Sequence, residues 1–474
     1  MLPVSVNYDI WPSVVPADKE CEMTIAPSSK AFLLFEGKEY TVKIISIDAD
    51  EFTYKNPQTH KYLKAIAHDG ILKFKFTFEK EQEHIVILYD DAEKLLREMR
   101  VYSLHEDLYA LTPLMGDFHG HSYRSDGKHD PCDVISQYRE QGYDFFTLTD
   151  HNRFYPGGEI DETFEGVKLG ITRVNGEEVH TPGSVVHIVH AGGKESVAKQ
   201  YVENPEKYQA EVAECEKRVP ANVPEQYAAR FAKAMWATEK IHEAGGIAIF
   251  AHPFWCPGQS RIHNVRYDFA RVFLRSGLFD AYELIGGMTQ AGNNRSVAMW
   301  ADMRAEEGLK IPVVGSSDVH GMENVYSFPH FFTICFAAAN ESDAIIDSVK
   351  KFNSVAVEDE GVEYSRLYRA YGSYRLVTYA QYLLKNYFPR LRRLCQGEGV
   401  AMRAYAIGDA DASLIEAQVK QTENFKARFF GRLAPVVPTK EIIDFENKWR
   451  EVQMQGPKTK GSQLTYEGKP TMQI

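Results

Sequence analysis

The sequence predicts an α/β protein with a β-rich N-terminal domain and a helical C-terminal extension. Short β-rich segments fill the first 110 or so residues, apolar strands alternate with helices from about Leu114, and the pattern is mainly helical beyond about Glu358. Alternating strands and helices are typical of α/β architecture with a parallel sheet. At 474 residues the chain has room for two or three domains, at roughly 150 residues per domain.

The N-terminal region, residues 1–112, contains short segments rich in β-branched and aromatic residues, separated by turn-forming residues. The segment Leu72–Phe78 alternates apolar and polar residues, as a half-exposed strand does. We expect a small β-sandwich here. The predicted strands are Ala31–Phe35, Tyr40–Ile45, Leu72–Phe78 and His84–Tyr89.

The middle region, residues 113–355, carries the α/β pattern, and a charged, helix-prone stretch at about 192–222 reads as an insertion. The predicted strands are Tyr143–Thr149, Gly246–Phe250, Phe279–Ile285 and Ile311–Gly315. The predicted helices include Val223–Ala244 and Asn293–Gly308.

The C-terminal region, residues 356–474, is predicted to be helical and to end in a polar, frayed tail from Gln455. The sequence leaves open whether these helices pack on the α/β region, cover a site or mediate association into a homo-oligomer.

Composition narrows the class of protein. Apolar residues make up 44% of the chain, which is enough for a buried core, and the formal charge of -12 does not favour a nucleic-acid surface. No stretch approaches the roughly 18 apolar residues that span a bilayer. The six cysteines are scattered without a CxxC pair, as in a protein with reduced thiols. We therefore expect a cytoplasmic protein with no membrane contact. The negative charge does not exclude a small anionic substrate, because bound metal ions can reverse the sign of the local field.

Residue types that bind metals follow four of the apolar strands at the points where those strands end. The segments are Gly116-Asp117-Phe118-His119-Gly120-His121 with Ser125-Asp126-Gly127, Thr149-Asp150-His151, Ala251-His252-Pro253, and Ser317-Asp318-Val319-His320. In an α/β barrel, active sites are built at the carboxyl ends of the strands. One such segment could be ordinary, but four together predict one site.

The spacing within two of these segments strengthens the prediction. Residues i and i+2 of an extended chain project from the same face, so His119 pairs with His121, and Asp318 pairs with His320. Imidazoles and carboxylates together suit Zn, Mn or Fe. These two pairs, together with His151 and His252, supply more ligands than one ion can bind. The sequence therefore predicts two or three divalent metal ions.

The order His-x-His, Ser-Asp-Gly, Thr-Asp-His, Gly-x-Glu, His-Pro and Ser-Asp-x-His resembles the polymerase and histidinol phosphatase (PHP) superfamily of metal-dependent phosphoesterases. The resemblance covers about Leu114 to Lys350, half the chain. It implies a distorted TIM-like (β/α)7 barrel with a trinuclear metal centre.

The resemblance also implies a division of the ligands among three ions. One ion would take His119, His121 and Asp318 with a bridging Glu; a second would take His252 and another His; the third would take Asp126, His151 and His320. Many relatives have His where this chain has Asp126, and this substitution bears on the affinity for the third ion.

For two ligands of this set, the bridging Glu and the second histidine of the second ion, the sequence offers more than one candidate. In Asn175-Gly176-Glu177-Glu178-Val179 we prefer Glu178 as the bridging ligand, and strand alternation then turns Glu177 to the opposite face. The remaining histidine is one of His180, His187 and His190, and we prefer His187, which lies in the strand that follows the Glu in the family. His180 could support a ligand without binding an ion itself.

Divalent ions held this close together generate hydroxide from bound water near neutral pH. The sequence therefore predicts a hydrolase that uses a metal-bridging hydroxide, with catalytic residues His119, His121, Glu178, Asp318 and His320. Cations beside the motifs could hold an anionic substrate. We prefer Arg153, directly after Thr-Asp-His-Asn, and Arg295 at a helix start, where backbone amides favour anions.

The leading functional hypothesis is a phosphoesterase that acts on a small phosphomonoester or phosphodiester. A carboxyl-ester or carbamate metallohydrolase is the alternative, because a β-rich domain before the Gly-Asp-x-His-x-His strand also resembles a branch of the superfamily that hydrolyses those bonds. A third hypothesis is a non-catalytic glycan- or protein-binding module, which the full set of ligand-type residues disfavours.

Overall fold

The computed structural model describes residues 7–49, 55–56, 59–258, 260–323, 328–360 and 367–455, and it shows a mixed α/β protein. The predicted β-rich N-terminal region, the α/β region and the C-terminal helices follow one another in the chain as expected. None of the helices in these ranges combines the length and the apolar character that crossing a bilayer would need.

Eight strands form the N-terminal region and pair in the order β1-β3-β6-β5-β4-β7-β8-β2. They are β1 (Tyr8–Trp11), β2 (Val14–Pro16), β3 (Glu20–Pro27), β4 (Glu39–Ser46), β5 (Lys61–His68), β6 (Ile71–Thr77), β7 (Gln82–Tyr89) and β8 (Leu95–Leu104). Alternate residues of β4, namely Tyr40, Val42 and Ile44, are buried in the core that the sheet encloses. The first strand also lies against the eighth, so the sheet is strongly curled.

Two details differ from the sequence prediction. The predicted sandwich of two sheets is instead one continuous order of strands, with β5 paired to both β4 and β6. The segment Ala31–Phe35 is not a strand: Lys30–Phe32 forms a 3-10 turn that Ser29 caps by accepting the Ala31 amide. Leu33 and Leu34 of this segment are buried, and a pattern of hydrophobicity does not distinguish a buried turn from a buried strand.

The α/β region contains two sheets. The first has the order β11-β10-β9-β17-β18-β19 and the second the order β12-β13-β14-β15-β16. The first-sheet strands are β9 (Thr112–Asp117), β10 (Phe145–Thr147), β11 (Thr172–Val174), β17 (Phe331–Ala337), β18 (Ser354–Asp359) and β19 (Tyr368–Tyr371). The second-sheet strands are β12 (Gly176–Val179), β13 (Ile188–Gly192), β14 (Gly246–Phe250), β15 (Ala281–Ile285) and β16 (Val313–Gly315).

Helices connect these strands: α2 (Pro131–Glu140), α3 (Pro156–Thr163), α6 (Glu225–Glu243), α7 (Tyr267–Ser276), α8 (Gln290–Glu307) and α9 (Ser342–Lys350). A short α1 (Glu106–Tyr109) precedes β9. The predicted helices Val223–Ala244 and Asn293–Gly308 are therefore confirmed within three residues as α6 and α8. Gly308, in the left-handed conformation at φ 68°, ends α8, as a glycine at this position commonly does.

The predicted parallel pairing is correct for β9-β10-β11 and for β14-β15-β16. Strands β12, β13, β17 and β18, for which the sequence analysis predicted no pairing, run antiparallel to their neighbours. Two single parallel bridges join the sheets, between Gly120 and Val319 and between His151 and Glu178. The described strands thus form two sheets that meet at bridges, whereas the sequence prediction was one ring of seven strands.

The predicted insertion at about 192–222 contains α4 (Ala198–Glu203) and α5 (Pro205–Glu216), which we call the inserted arm. Its aromatic residues Tyr201 and Tyr208 pack against Trp236 of α6, with ring centroids 6.0 and 4.7 Å away. The arm is therefore part of the folded core of the second sheet.

The C-terminal region folds into α10 (Tyr374–Asn386), α11 (Phe388–Ala406), α12 (Ala412–Phe429) and α13 (Lys440–Gln455). The predicted tail falls almost wholly on 456–474, outside the described residues. These helices pack on the α/β region: the buried Glu398 carboxylate of α11 accepts from Arg139 Nε of α2 at 2.8 Å and from the Gly170 amide at 2.6 Å. Strand β18 crosses the predicted boundary at residue 355, so the first sheet extends beyond it.

Candidate metal centre

The predicted ligands lie at one edge of the two sheets, in the loops that follow β9, β10, β14 and β16. Strand β13 runs antiparallel to β14 and pairs Ile188 with Phe250, so its start lies beside the end of β14. This pairing brings His187 next to His252. The loops after β9 and β16 are joined by backbone hydrogen bonds, in which the Asp318 amide donates to His119 and the His121 amide donates to Val319.

Four buried side chains form what we call the inner group: His119, Glu178, His252 and Asp318. Their side chains are 0%, 0%, 3% and 10% exposed. His119 Nε2 lies 3.5 Å from Glu178 Oε2 and 3.3 Å from Asp318 Oδ1. His252 Nε2 lies 3.2 Å from Glu178 Oε1 and 3.8 Å from Asp318 Oδ2.

Two further histidines adjoin the inner group. His121 Nε2 lies 3.0 Å from Asp318 Oδ1 and 3.6 Å from Glu178 Oε2. His187 Nδ1 lies 3.0 Å from Glu178 Oε1. Glu178 thus presents one carboxylate oxygen to His119 and His121 and the other to His187 and His252, which is the arrangement of a bridging ligand.

Three partly exposed side chains form what we call the outer group: Asp126, His151 and His320. Their side chains are 53%, 26% and 37% exposed. Asp126 lies 3.3 Å from the Nε2 atoms of both His151 and His320. On its other side, His151 Nδ1 lies 2.7 Å from Glu178 Oε2, so this ring connects the two groups.

The polar atoms of the cluster fit a set of divalent ions. Within the described residues, sets of three or four potential ligand atoms lie within 4.8 Å of one another, and all nine predicted ligands belong to at least one set. Glu178 Oε2 and three buried ring nitrogens that face Glu178, namely His119 Nε2, His151 Nδ1 and His187 Nδ1, have no hydrogen-bond partner. Buried polar atoms are normally paired, and a bound ion would supply the partner that these atoms lack.

The electrostatic environment also suits metal binding. Burial lowers the pKa of His121 and of His187 to about 4, so both rings are neutral at pH 7, the form that binds a metal. Burial opposes ionisation of the Asp318 carboxyl, but His119 and His121 outweigh it and hold its pKa below the usual value. Burial also opposes protonation of His119, His151 and His252, but nearby carboxylates outweigh it and raise the pKa of each, so these three rings would bind an ion by releasing a proton. The cluster therefore combines two neutral imidazoles and an ionised carboxylate with imidazoles on which a metal ion would replace a proton.

Backbone conformations at the site are unusual. His252, Asp318 and the neighbouring Asn152 take positive φ values of 21°, 50° and 55°. Residues other than glycine pay a strain energy of about 1–3 kcal/mol for such conformations, which persist mainly where the surrounding structure imposes them at functional sites. The turns after β10, β14 and β16 are thus held in shapes that aim side chains into the cluster.

The structure places the two neighbouring glutamates on opposite faces of β12. Glu178 enters the cluster, whereas Glu177 accepts hydrogen bonds from Val197 N at 2.6 Å and Ser196 Oγ at 2.8 Å, at the start of α4. Glu177 therefore caps the first helix of the inserted arm. His190 also points away, with Nδ1 3.4 Å from Glu177 Oε1, while both His180 and His187 face Glu178.

Three buried carboxylates support the cluster and were missed by the sequence analysis. Glu283 of β15 lies 2.9 Å from His119 Nδ1, on the side of the ring away from Glu178. Asp117 accepts from the amides of His119 and Ser317, at 3.0 and 3.1 Å. Asp150 accepts from Ser122 Oγ and Ser125 Oγ at 2.7 and 2.5 Å. A charged residue inside the apolar strand Ala281–Ile285 was a signal that could have revealed Glu283.

The predicted substrate-binding arginines are exposed. Arg153 donates to the Arg124 carbonyl oxygen and, at 3.3 Å, to Tyr155 Oη, in the loop beside Asp126. Arg295 lies in the second turn of α8, 2.7 Å from His263 Nε2. Neither has a carboxylate partner among the residues that the structure describes. Arg124 and Lys128, by contrast, pair with Glu159 and Glu323.

Comparison with known proteins gives weak structural likenesses. No family model and no curated protein matches the chain. A two-domain protein from Bacteroides vulgatus, containing a predicted PHP-like metal-dependent phosphoesterase, is 16% identical, with 56% of this chain and 76% of that chain covered and a TM-score of 0.35. An amidohydrolase from Chromobacterium violaceum, solved with bound sulfate, is 19% identical, with 45% of this chain and 90% of that chain covered and a TM-score of 0.30.

A third solved structure, from Bifidobacterium adolescentis, is of a protein proposed to be a metal-dependent phosphoesterase. It is 17% identical, with 44% of this chain and 87% of that chain covered and a TM-score of 0.30. One of these three similar solved structures is thus described as containing a PHP-like protein. TM-scores below 0.5 do not decide a common fold or activity, so the functional proposal depends on the side chains of the cluster.

Proposed function

We propose that this chain is a PHP-type metal-dependent hydrolase with its active site at the cluster around Glu178, and that it is a phosphoesterase acting on a small phosphomonoester or phosphodiester. The observation that carries the proposal is the convergence of nine ligand-type side chains at one sheet edge, several of them with unpaired buried atoms. Seven of the strands in the two sheets that meet there would form the distorted (β/α)7 barrel.

The proposed ligand sets follow the observed distances. His119, His121 and Asp318 would hold one ion, and His187 with His252 a second, with Glu178 contributing to both. Asp126, His151 and His320 would hold a third ion. Zn, Mn or Fe fits these donors. When bound, such ions make hydroxide from water near neutral pH and offset negative charge on a displacement centre.

The protein's own contribution is to fix this geometry. Glu283 holds the far nitrogen of His119, and such outer hydrogen bonds orient a metal-bound imidazole. Asp117 joins the amides of His119 and Ser317, so the ends of β9 and β16 stay at a constant distance. The exposed outer group leaves one side open to solvent, and this is where a substrate would enter.

Phosphate chemistry is favoured by the two arginines that have no carboxylate partner. Arg153 and Arg295 have guanidinium groups that match the geometry of an anionic phosphoryl group. A carboxyl ester or carbamate would have less use for them. Hydrolysis of a carboxyl ester or carbamate is the second candidate, because the eight-stranded domain before β9 resembles the layout of the branch that hydrolyses those bonds.

The test is an assay of purified protein loaded with Zn²⁺ or Mn²⁺, using p-nitrophenyl phosphate, bis-p-nitrophenyl phosphate, and matched p-nitrophenyl carboxyl and carbamate esters. We expect turnover of at least one phosphate ester and a loss of kcat/KM in Arg153→Met. The matched control is Arg218→Met in the inserted arm, paired with Glu239. Turnover of the esters alone would replace the phosphoesterase proposal, and the lack of any tightly bound divalent ion would refute the metal centre.

A further inference from the structure

We propose that His180 is a tenth metal-binding side chain of the centre, acting with His151 and Glu178 on an ion beside the outer group. The inference rests on the metal centre proposed above and goes beyond it, because there His187 is the second histidine of the second ion and His180 holds no ion. The residue directly follows β12, two positions after Glu178. An extended chain places residues i and i+2 on one face, which accounts for the direction of its side chain.

The ring of His180 lies inside the cluster. It stacks on His187, with ring centroids 3.7 Å apart and planes inclined at 28°, and its centroid lies 4.5 Å from that of His151. His180 Nε2 is 3.2 Å from Glu178 Oε1. The side chain is 27% exposed, so an ion bound there would also be accessible to solvent and substrate.

The unpaired state of Nε2 indicates a ligand rather than a simple hydrogen-bond donor. His180 Nε2 is buried and has no partner in hydrogen-bonding geometry, although Glu178 Oε1 is near. A nitrogen of His151, a nitrogen of His180 and an oxygen of Glu178 lie within 4.8 Å of one another. One ion between these atoms would satisfy all three, and two imidazoles with a carboxylate are suitable ligands for Zn, Mn or Fe.

The backbone of His180 is held by a clamp that also fixes His151. The His180 amide donates to Asn152 Oδ1 at 2.8 Å, and the Asn152 amide donates to the Glu178 carbonyl oxygen at 2.8 Å. Tyr201, from α4 of the inserted arm, donates its hydroxyl proton to the same Asn152 oxygen. This preorganisation is the support that a metal ligand requires, and it gives the inserted arm a role in positioning.

The geometry implies two alternative partners for His151. Its Nε2 faces Asp126, and its Nδ1 faces Glu178. Glu178 in turn belongs to the set of potential ligands that includes His151 and His180. An ion bound with Asp126 and His320 would use the first nitrogen, and an ion bound with His180 would use the second. His180 therefore extends the centre toward the inserted arm and enlarges the region over which ions, and an anionic substrate on them, can be held.

The direct test is diffraction from crystals of the full chain soaked in Zn²⁺, with the ions located by anomalous scattering. We expect one ion at about 2.0–2.1 Å from His180 Nε2, the usual Zn–N distance. Ions elsewhere in the cluster with none within about 3 Å of Nε2 would overturn the inference and leave the proposed function intact. The absence of ions from the whole cluster would refute both.

The solution test is titration of metal-depleted protein with Co²⁺, followed by absorption and calorimetry. We expect His180→Ala to weaken one ion by at least about 10-fold and Tyr201→Phe to weaken the same ion less, within the roughly 10- to 100-fold range of outer-sphere changes. The matched controls are His242→Ala, a histidine of α6 paired with Asp280, and Tyr208→Phe, whose ring packs on Tyr201. Wild-type affinities in His180→Ala would refute the inference.

Discussion

The inner and outer groups of the centre have the same kinds of side chain but differ in burial. His119, Glu178 and His252 are at most 3% exposed, whereas the Asp126 carboxylate is 53% exposed. The inner side chains come from strand ends that backbone hydrogen bonds and buried carboxylates hold in place, and Asp126 comes from the loop between β9 and α2. Folding therefore fixes the inner group, while the outer group is the part of the cluster that solvent reaches.

The largest expected effect follows from removal of an inner ligand. We expect Asp318→Ala and His119→Ala each to lower kcat by several orders of magnitude without unfolding the chain, because each side chain would hold an ion at the centre. Activity on the responsive ester and a circular-dichroism melting curve measure the two outcomes. Asp161→Ala, which removes an exposed carboxylate paired with Arg173, is the control. Near-normal activity in either ligand variant would contradict its assignment.

A smaller effect is expected in the outer group. Asp126→Ala should remove one ion per chain and lower kcat on the order of 100-fold, since the remaining ions would still activate water. Metal content of the purified variant and steady-state kinetics are the measurements. A loss as large as that of Asp318→Ala would show that the two groups act as one unit.

Replacement of Glu283, which contacts His119 without facing the cluster, should weaken metal binding but not abolish it. Glu283→Gln keeps the volume but removes the charge beside His119 Nδ1, and we expect about 10- to 100-fold weaker binding of one ion. Competition with a chelator of known affinity measures this change. Glu243→Gln, at the exposed end of α6, should leave the affinity as in the wild type, and equal affinities in both variants would remove Glu283 from the centre.

The smallest expected readout is a shift in stability on metal binding. An ion that binds only the folded state at 100 times its Kd stabilises the protein by about 2.7 kcal/mol. We expect the melting temperature to rise with Zn²⁺, to keep much of this rise in Asp126→Ala, and to lose most of it in Asp318→Ala. The opposite order would reverse the assignment of the inner and outer groups.

Much of the site was predictable because its ligands lie in short segments with local order. The pairs His119/His121 and Asp318/His320 follow apolar strands, and strand ends at one sheet edge must lie together. The structure brings these residues into the same cluster as Asp126, His151, Glu178, His187 and His252. Their roles as ligands stay predictions until ions are located.

Other features depended on contacts between distant segments. The contact between Glu283 and His119 joins residues that are 164 positions apart in the chain, so no local sequence pattern could predict it. The proximity of His180 to His151 depends on the Asn152 clamp and on Tyr201 from the inserted arm. The antiparallel course of β13 was likewise invisible in the sequence, because hydrophobicity reports burial and not direction.

The sequence by itself determined the order of β-rich, α/β and helical regions and the identity of most metal-ligand candidates, because these depend on local periodicity and residue type. Tertiary structure decided which of two adjacent glutamates entered the cluster, which histidines faced it, and which ligands were buried. It also arranged the strands of the α/β region in two sheets joined at single bridges. Burial and distance are properties of the packed chain, so only packing could separate the buried inner group from the exposed outer group.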